Sequence, residues 1–272
     1  MKKRVITLFS LIFLVFLPIK AWSETILDKI ERTGEMTVGA RKDAIPFGYE
    51  DQQGQWTGYS VDLIRIIHQE LQKNLKKSIK LTFKEATIDN RFNIVQDNTV
   101  DLMCGATTIT QERLKKVDFS LPFFMTGAQF LVKLKDSETF DINGTLAEIP
   151  IAFIPGTTTQ EIIPQIYPFA EWKIVKSRRE GVKKLKKGEV QAVVSDGILL
   201  VGEIVQQGHK PRDFTLTPRQ PITTELYGCM LPKNNRDWKE FIDNIIVGRK
   251  TLELQDKWFN VNRSKFPYII HN

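Results

Sequence analysis

Short apolar runs suited to buried strands alternate along this chain with apolar residues at helical spacing. Residues 36–40 read as the first strand. A helix follows, with Val61, Ile64, Ile67, Leu71 and Leu75 three to four positions apart on one face and Ser60 as its expected cap. Residues 80–84 and 100–104 read as further strands, with a short helix over 90–96 between them. Thr110 opens a helix carrying Glu112 and Arg113, and residues 129–133 continue as a strand. The series then restarts, with strands at 149–154, 173–175 and 191–195 and helices from Thr157, over 179–187 and from Ile198. An extended run at 227–231 precedes two closing helices near 238–247 and 252–259.

Strands that alternate with helices predict mostly parallel sheets with helices on their faces, an α/β fold. Such sheets bind ligands outside the carboxyl ends of their strands, where strand order reverses. The 272 residues suffice for two lobes of this kind, and no Pro-, Gly- or Ser-rich linker separates two halves. Two lobes joined by strands, with a ligand cleft between them, is the expected architecture.

The N-terminus departs from this pattern. Lys2, Lys3 and Arg4 precede an apolar run over residues 5–17, and Ala21-Trp22-Ser23 places small residues on either side of Trp22. This is the layout of a cleavable secretory signal peptide over residues 1–23. The apolar run is shorter than the roughly 20 residues a spanning helix needs. Glu24, not Cys, follows the expected cut, so no lipid anchor is expected there. Without Lys2, Lys3, Arg4 and Lys20, the formal charge of +7 falls to +3, with 35 basic against 32 acidic residues. That balance leaves no nucleic-acid footprint. Export also bears on Cys104 and Cys229, the two cysteines of the chain. In an oxidising compartment a single disulfide is the simplest reading, and two buried free thiols are the other.

Signatures of catalysis are missing. No phosphate-binding Gly-x-x-x-x-Gly-Lys loop, Gly-x-Ser-x-Gly elbow, His-Glu-x-x-His pair or Gly-x-Gly-x-x-Gly turn occurs. His68 falls within a helix pattern, His209 in a polar loop and His271 beside the last residue, and none has the setting of a general base. No catalytic residue, metal site or cofactor is expected.

Several unusual stretches stand in order. Arg41-Lys-Asp-Ala-Ile-Pro-Phe follows the first strand, and Gly58-Tyr-Ser-Val-Asp opens the first long helix. Asn90-Arg-Phe precedes Gly105-Ala-Thr-Thr, followed by Thr110-Gln-Glu-Arg and Val117-Asp-Phe-Ser-Leu-Pro-Phe. Pro155-Gly-Thr-Thr, Ser195-Asp-Gly and Tyr227-Gly-Cys-Met-Leu complete the set. Together they resemble a family 3 periplasmic solute-binding protein, the amino-acid-binding component of an ABC transporter, and within it most the glutamate/aspartate-binding branch. The resemblance implies a two-lobed periplasmic-binding-protein fold, each lobe a mostly parallel sheet flanked by helices, joined by two hinge strands. Residues 24–130 plus 228–272 would form lobe 1 and residues 131–227 lobe 2. It further implies a periplasmic, monomeric, non-enzymatic protein whose partners are an amino-acid ligand and a membrane permease.

A free amino acid carries a carboxylate and an ammonium on one carbon, so its binder needs a fork of donors and a buried acceptor. Arg113 suits the fork, because a guanidinium grips a carboxylate with two parallel bonds. By spacing alone it reads as a surface residue beside Lys115 and Lys116. The resemblance assigns it the α-carboxylate, together with backbone groups of Ala106 and the hydroxyl and amide of Thr108. Asp196 ends an apolar strand and precedes a helix, a place that suits a helix cap and an ammonium partner equally; the resemblance selects the ammonium. Thr157 follows Pro-Gly at a helix start, where free N–H groups favour an anion. Arg41 and Arg91 match positions that face the side-chain carboxylate in the acidic-amino-acid branch. Departures also stand out: Ile88 and Ile154 replace expected small hydroxyl residues, and Arg178, counted with the ligand-binding set, stands where a histidine is expected. Two other functions fit the same scaffold. One is a cyclohexadienyl dehydratase-like enzyme, which needs a positioned general acid or base. The other is a detached amino-acid sensor domain, which needs a following membrane span or signalling domain, and no later apolar run is long enough for a span.

Overall fold

The strand Glu35–Arg41 alternates between half-buried and buried residues and becomes fully buried toward its carboxyl end, which places Arg41 inside the protein. This is seen in a computed structural model that describes residues 24–259; the expected signal peptide lies outside the described residues. Glu35–Arg41 pairs in parallel with Lys80–Ala86 on one side and Leu102–Met103 on the other. Met230–Leu231 and Asp118–Phe119 add to the Leu102–Met103 edge, the return strand running antiparallel to both neighbours. A second sheet has the order Glu171–Ile174, Pro150–Phe153, Ala192–Asp196, Ala128–Lys133, Phe214–Thr217, with the first three strands parallel and Ala128–Lys133 antiparallel to both of its neighbours.

Among the parallel strands of each sheet the chain lays down one strand, adds a neighbour on one side, then crosses to the other. Strand order therefore reverses between Glu35–Arg41 and Leu102–Met103, and again between Pro150–Phe153 and Ala192–Asp196. Those reversals leave crevices at the carboxyl ends, at Arg41 and Asp196.

Both faces of the second sheet are buried, as expected for strands with helices on each side. Phe130, Phe153 and Val194 pack into one apolar layer, while their sequence neighbours Leu131, Ala152 and Val193 point into the other. In the first lobe the helices Tyr59–Leu75, Arg236–Ile246 and Arg249–Phe259 supply Ile64, Ile67, Trp238, Ile242 and Trp258 to one core. Phe47 lies in that core against Tyr59, Phe123, Phe124, Tyr227 and Phe259, with ring centroids 4.9–6.4 Å away.

Two short segments connect the lobes. Phe124–Thr126 leads out and Glu225–Tyr227 leads back, and they pair antiparallel with Tyr227 opposite Phe124. The sequence suggests an outgoing crossing at residues 129–133, but Ala128–Lys133 lies inside the second sheet, paired on both edges. The crossing is the segment just before it.

The start of Tyr59–Leu75 also differs from expectation. Gly58 is the N-cap residue, at φ 128°, and Ser60 lies buried in the first turn. Backbone carbonyls replace the side-chain cap: Tyr59 N–H donates to Pro46 O and Ser60 N–H to Phe47 O, each at 2.9 Å. Such close backbone approach excludes a side chain at Gly58, where a Cβ would stand 2.2 Å from Phe47 O. Cys104 and Cys229, both buried, form a disulfide between the segments that abut Leu102–Met103 and Met230–Leu231. Of the two sequence readings for these cysteines, the structure adopts the disulfide.

Candidate functional site

Arg41 ends its strand at the first crevice, and Asp43 turns back onto it from the following loop. The Asp43 carboxylate accepts from Arg41 Nε at 2.8 Å and Nη2 at 2.6 Å, while Arg41 Nη1 donates to Ala106 O at 3.3 Å. All three guanidinium nitrogens are thus engaged. Arg91, the first residue of the helix Arg91–Gln96, donates to Ile88 O and, at 2.9 Å, to Gly156 O of the other lobe. Its Nε is buried without a hydrogen-bond partner.

Arg113 sits in the short helix Gln111–Leu114, opened by Thr110, whose hydroxyl accepts from Arg113 N–H at 3.2 Å. Its side chain turns inward to donate to Thr108 O at 2.9 Å. Phe92 lies beneath both guanidinium groups, 4.8 Å from that of Arg91 and 5.6 Å from that of Arg113. Spacing alone would leave Arg113 on the surface; only 9% of it is exposed.

The second lobe answers with Arg178, Thr157 and Asp196. Arg178 opens the helix Arg178–Lys187 after the capping Ser177, and donates from Nε to Ser195 Oγ at 3.0 Å. Its Nη1 reaches across the cleft to Asp43 O at 3.0 Å and lies 3.6 Å from Asp43 Oδ2. Thr157 caps Thr158–Ile166, its hydroxyl accepting from Gln160 N–H at 3.3 Å. Asp196 occupies the N-cap position of Gly197–Gln206 but makes no capping hydrogen bond. Instead Oδ2 accepts from the Tyr227 hydroxyl, and Oδ1 is buried with no partner. Nearby, Glu225 accepts from the hydroxyls of Thr158 at 3.0 Å and Thr223 at 2.9 Å.

These charges act on one another. Burial, and then the charge of Glu225, push the Asp196 carboxyl up to about 6, against the pull of Tyr227, Arg178 and Arg113. Burial lowers Arg91 to about 9, and repulsion from Arg41 and Arg113 adds to the drop. Burial lowers Arg178 as well. Burial disfavours the charge on Arg41 too, yet Asp43 reverses the balance and raises it. Asp43 itself is held well below the usual carboxylate range: burial works to raise it, and the Arg41 guanidinium overcomes that.

Arg41, Arg91, Arg113, Arg178 and Asp196 thus form one electrostatic cluster between the crevices. Ala106 and Thr108 enter it through carbonyls that accept from Arg41 and Arg113. Thr157 is engaged as a cap, and its hydroxyl also donates to Ile154 O at 2.9 Å. Ile88 and Ile154 pack in the apolar layer on one face of the second sheet. Sequence reasoning missed Asp43, Glu225 and the hydroxyl of Tyr227. Asp43 had a signal, a carboxylate two residues after an arginine that ends a strand. For Glu225 the chain pattern holds no comparable signal, since its burial is set by threonines of the other lobe and of its own crossing.

Two α/β lobes, paired connecting strands and a cluster of buried charges at the strand-order reversals define a periplasmic-binding-protein fold. Residues 36–261 match the bacterial extracellular solute-binding proteins, family 3, and the chain belongs to that family. It is 31% identical over 243 residues to a glutamate/aspartate import solute-binding protein of Salmonella typhimurium, covering 86% of this chain and 78% of the relative. A glutamine-binding protein of Geobacillus stearothermophilus is 29% identical over 220 residues, 80% of each chain. Among solved structures, an ancestral amino acid-binding protein described as a precursor of cyclohexadienyl dehydratase superposes with a TM-score of 0.73. It is 25% identical, and the match covers 87% of this chain and 100% of that one.

Proposed function

We propose that this protein is a periplasmic binding protein that closes its lobes on an acidic L-amino acid, glutamate or aspartate, and delivers it unchanged to the permease of an ABC transporter. In this reading Arg113, with Ala106 and Thr108, takes the α-carboxylate, and Thr157 adds its helix start. Asp196 takes the α-ammonium on its unpartnered oxygen. Arg91 takes the side-chain carboxylate.

The observation that carries the reading is Arg91. It is 3% exposed, its hydrogen bonds go to backbone carbonyls, and no described carboxylate pairs with it. A buried guanidinium without a counter-charge is costly, and a ligand carboxylate would relieve that cost. The glutamate/aspartate relative supports the same side-chain class.

A thermal-shift screen against the twenty amino acids, followed by calorimetry, tests it. A ligand at about 100 times its Kd stabilises by roughly 2.7 kcal/mol. Glutamate or aspartate should give the largest shift and bind more tightly than glutamine by about 2–4 kcal/mol. Glutamine binding as tightly as glutamate would count against it.

A further inference from the structure

Arg41 and Arg178 reach the cleft from opposite lobes, and both are almost wholly buried, at 3% and 5% exposure. Asp43 joins them. It takes two of the three Arg41 nitrogens, its backbone carbonyl takes Arg178 Nη1, and one of its carboxylate oxygens lies 3.6 Å from the same nitrogen. Its own side chain is 40% exposed, so it is the accessible member of the trio. A carboxylate approaching Arg41 would have to displace one that already makes two charge-assisted bonds. It would also meet the negative charge of Asp43.

We propose that Asp43 is a specificity-determining residue, a counter-ion built into the chain. By occupying Arg41 and Arg178, it leaves Arg91 to receive the side-chain carboxylate of the ligand. This rests on the reading of the cleft as an amino-acid site, and divides the work of two arginines that the sequence treats alike. Arg41 organises the cleft through Asp43; Arg91 selects the ligand. Asp43 thereby narrows the preference for acidic over amide side chains below what the full set of arginines would give. It also supplies the charge that lets two guanidinium groups from different lobes meet when the cleft is closed.

Calorimetry with glutamate and glutamine on the mature chain and on Asp43→Asn and Asp43→Ser tests this. Either substitution should raise the ratio of glutamate to glutamine affinity by about tenfold, because Arg41 then finds its close counter-charge in the ligand carboxylate. Retained glutamine binding shows that the variant is folded, and a ratio that stays constant or falls then overturns the proposal. Should both variants lose all binding, Arg41→Gln and Arg91→Gln decide. Arg41→Gln should lower the ratio less than Arg91→Gln, which should collapse it; a larger fall in Arg41→Gln than in Arg91→Gln overturns the proposal. A wild type that binds no amino acid overturns the cleft reading and this proposal with it. Binding by wild type without the predicted changes in the variants overturns the proposal alone.

Discussion

Tyr227 donates its phenolic hydroxyl to Asp196, tying the strand that returns to the first lobe to the carboxyl end of a central strand in the second. The bond satisfies one carboxylate oxygen and leaves the other buried and unpartnered. It also makes the crossing segment part of the cleft. A change in the angle between the lobes therefore moves a group that touches the proposed ammonium site.

That carboxylate should make binding depend on pH. The Asp196 carboxyl, raised to about 6 from 3.8, keeps its proton in the folded ligand-free protein at pH values where the unfolded chain has lost it. Its contribution therefore favours the folded state as pH falls through that window, and its ionised form costs stability above about pH 6. An ammonium ligand needs the ionised form. Affinity should thus hold near neutral pH and drop by up to about tenfold per unit below pH 6. Calorimetry between about pH 7.5 and pH 5 reads this directly, and equal affinity at both ends contradicts it. Burial sets the value first, with Glu225, Tyr227, Arg178 and Arg113 adjusting it, and Asp196→Asn should flatten the dependence along with weakening binding.

Arg113→Lys should weaken every amino acid together, by about 2–4 kcal/mol, since an ammonium cannot reproduce a two-bond grip on the α-carboxylate. The affinities for glutamate, aspartate and glutamine should fall in parallel. A loss confined to glutamate and aspartate would place Arg113 against the side chain.

Reducing the Cys104–Cys229 disulfide should lower the melting temperature without abolishing the fold. The bond closes a loop with a sequence separation of 125. In the chain-entropy model a loop of that size contributes on the order of 4–5 kcal/mol. Thermal melts with and without reductant, with thiol alkylation to confirm reduction, measure the difference; superimposable melts would show that the bond contributes nothing.

Phe47→Ala should cost about 3–5 kcal/mol, as expected for a large aromatic side chain removed from a packed core. Phe47 touches Phe124 and Tyr227 of the two crossing segments and Phe259 of the last described helix. Chemical denaturation measures the loss. A cost under about 1 kcal/mol would mean that this aromatic cluster closes over the gap.

The alternation of strands and helices was legible because burial on both faces leaves continuous apolar runs, such as that ending at Asp196. Thr110 and Thr157 were legible as helix starts because a hydroxyl capping the first turn is a local event. Ser60 misled for the opposite reason: carbonyls of a loop more than ten residues upstream satisfy the first N–H groups, and no side-chain pattern marks that. The pairing of Arg41 was half legible. Asp43 stands two residues away, but Arg178 arrives from 135 residues further along, so the trio exists only once the lobes meet. Arg91 likewise shows its cross-cleft bond to Gly156 only in the folded chain. Residues 129–133 were legible as a strand but not as an interior one, because antiparallel partners come from distant parts of the sequence.

The nesting of one lobe within the other has a consequence for the order of assembly. Every strand of the second sheet lies between Ala128 and Thr217, while Met230–Leu231, which belongs to the interior of the first sheet, comes later. During vectorial synthesis, the inserted lobe has its full complement of strands before the enclosing lobe does. Cys104 emerges long before Cys229, so its thiol must wait for its partner until nearly the whole chain has appeared. Premature oxidation with another chain would therefore trap an unfinished first lobe around a finished second one.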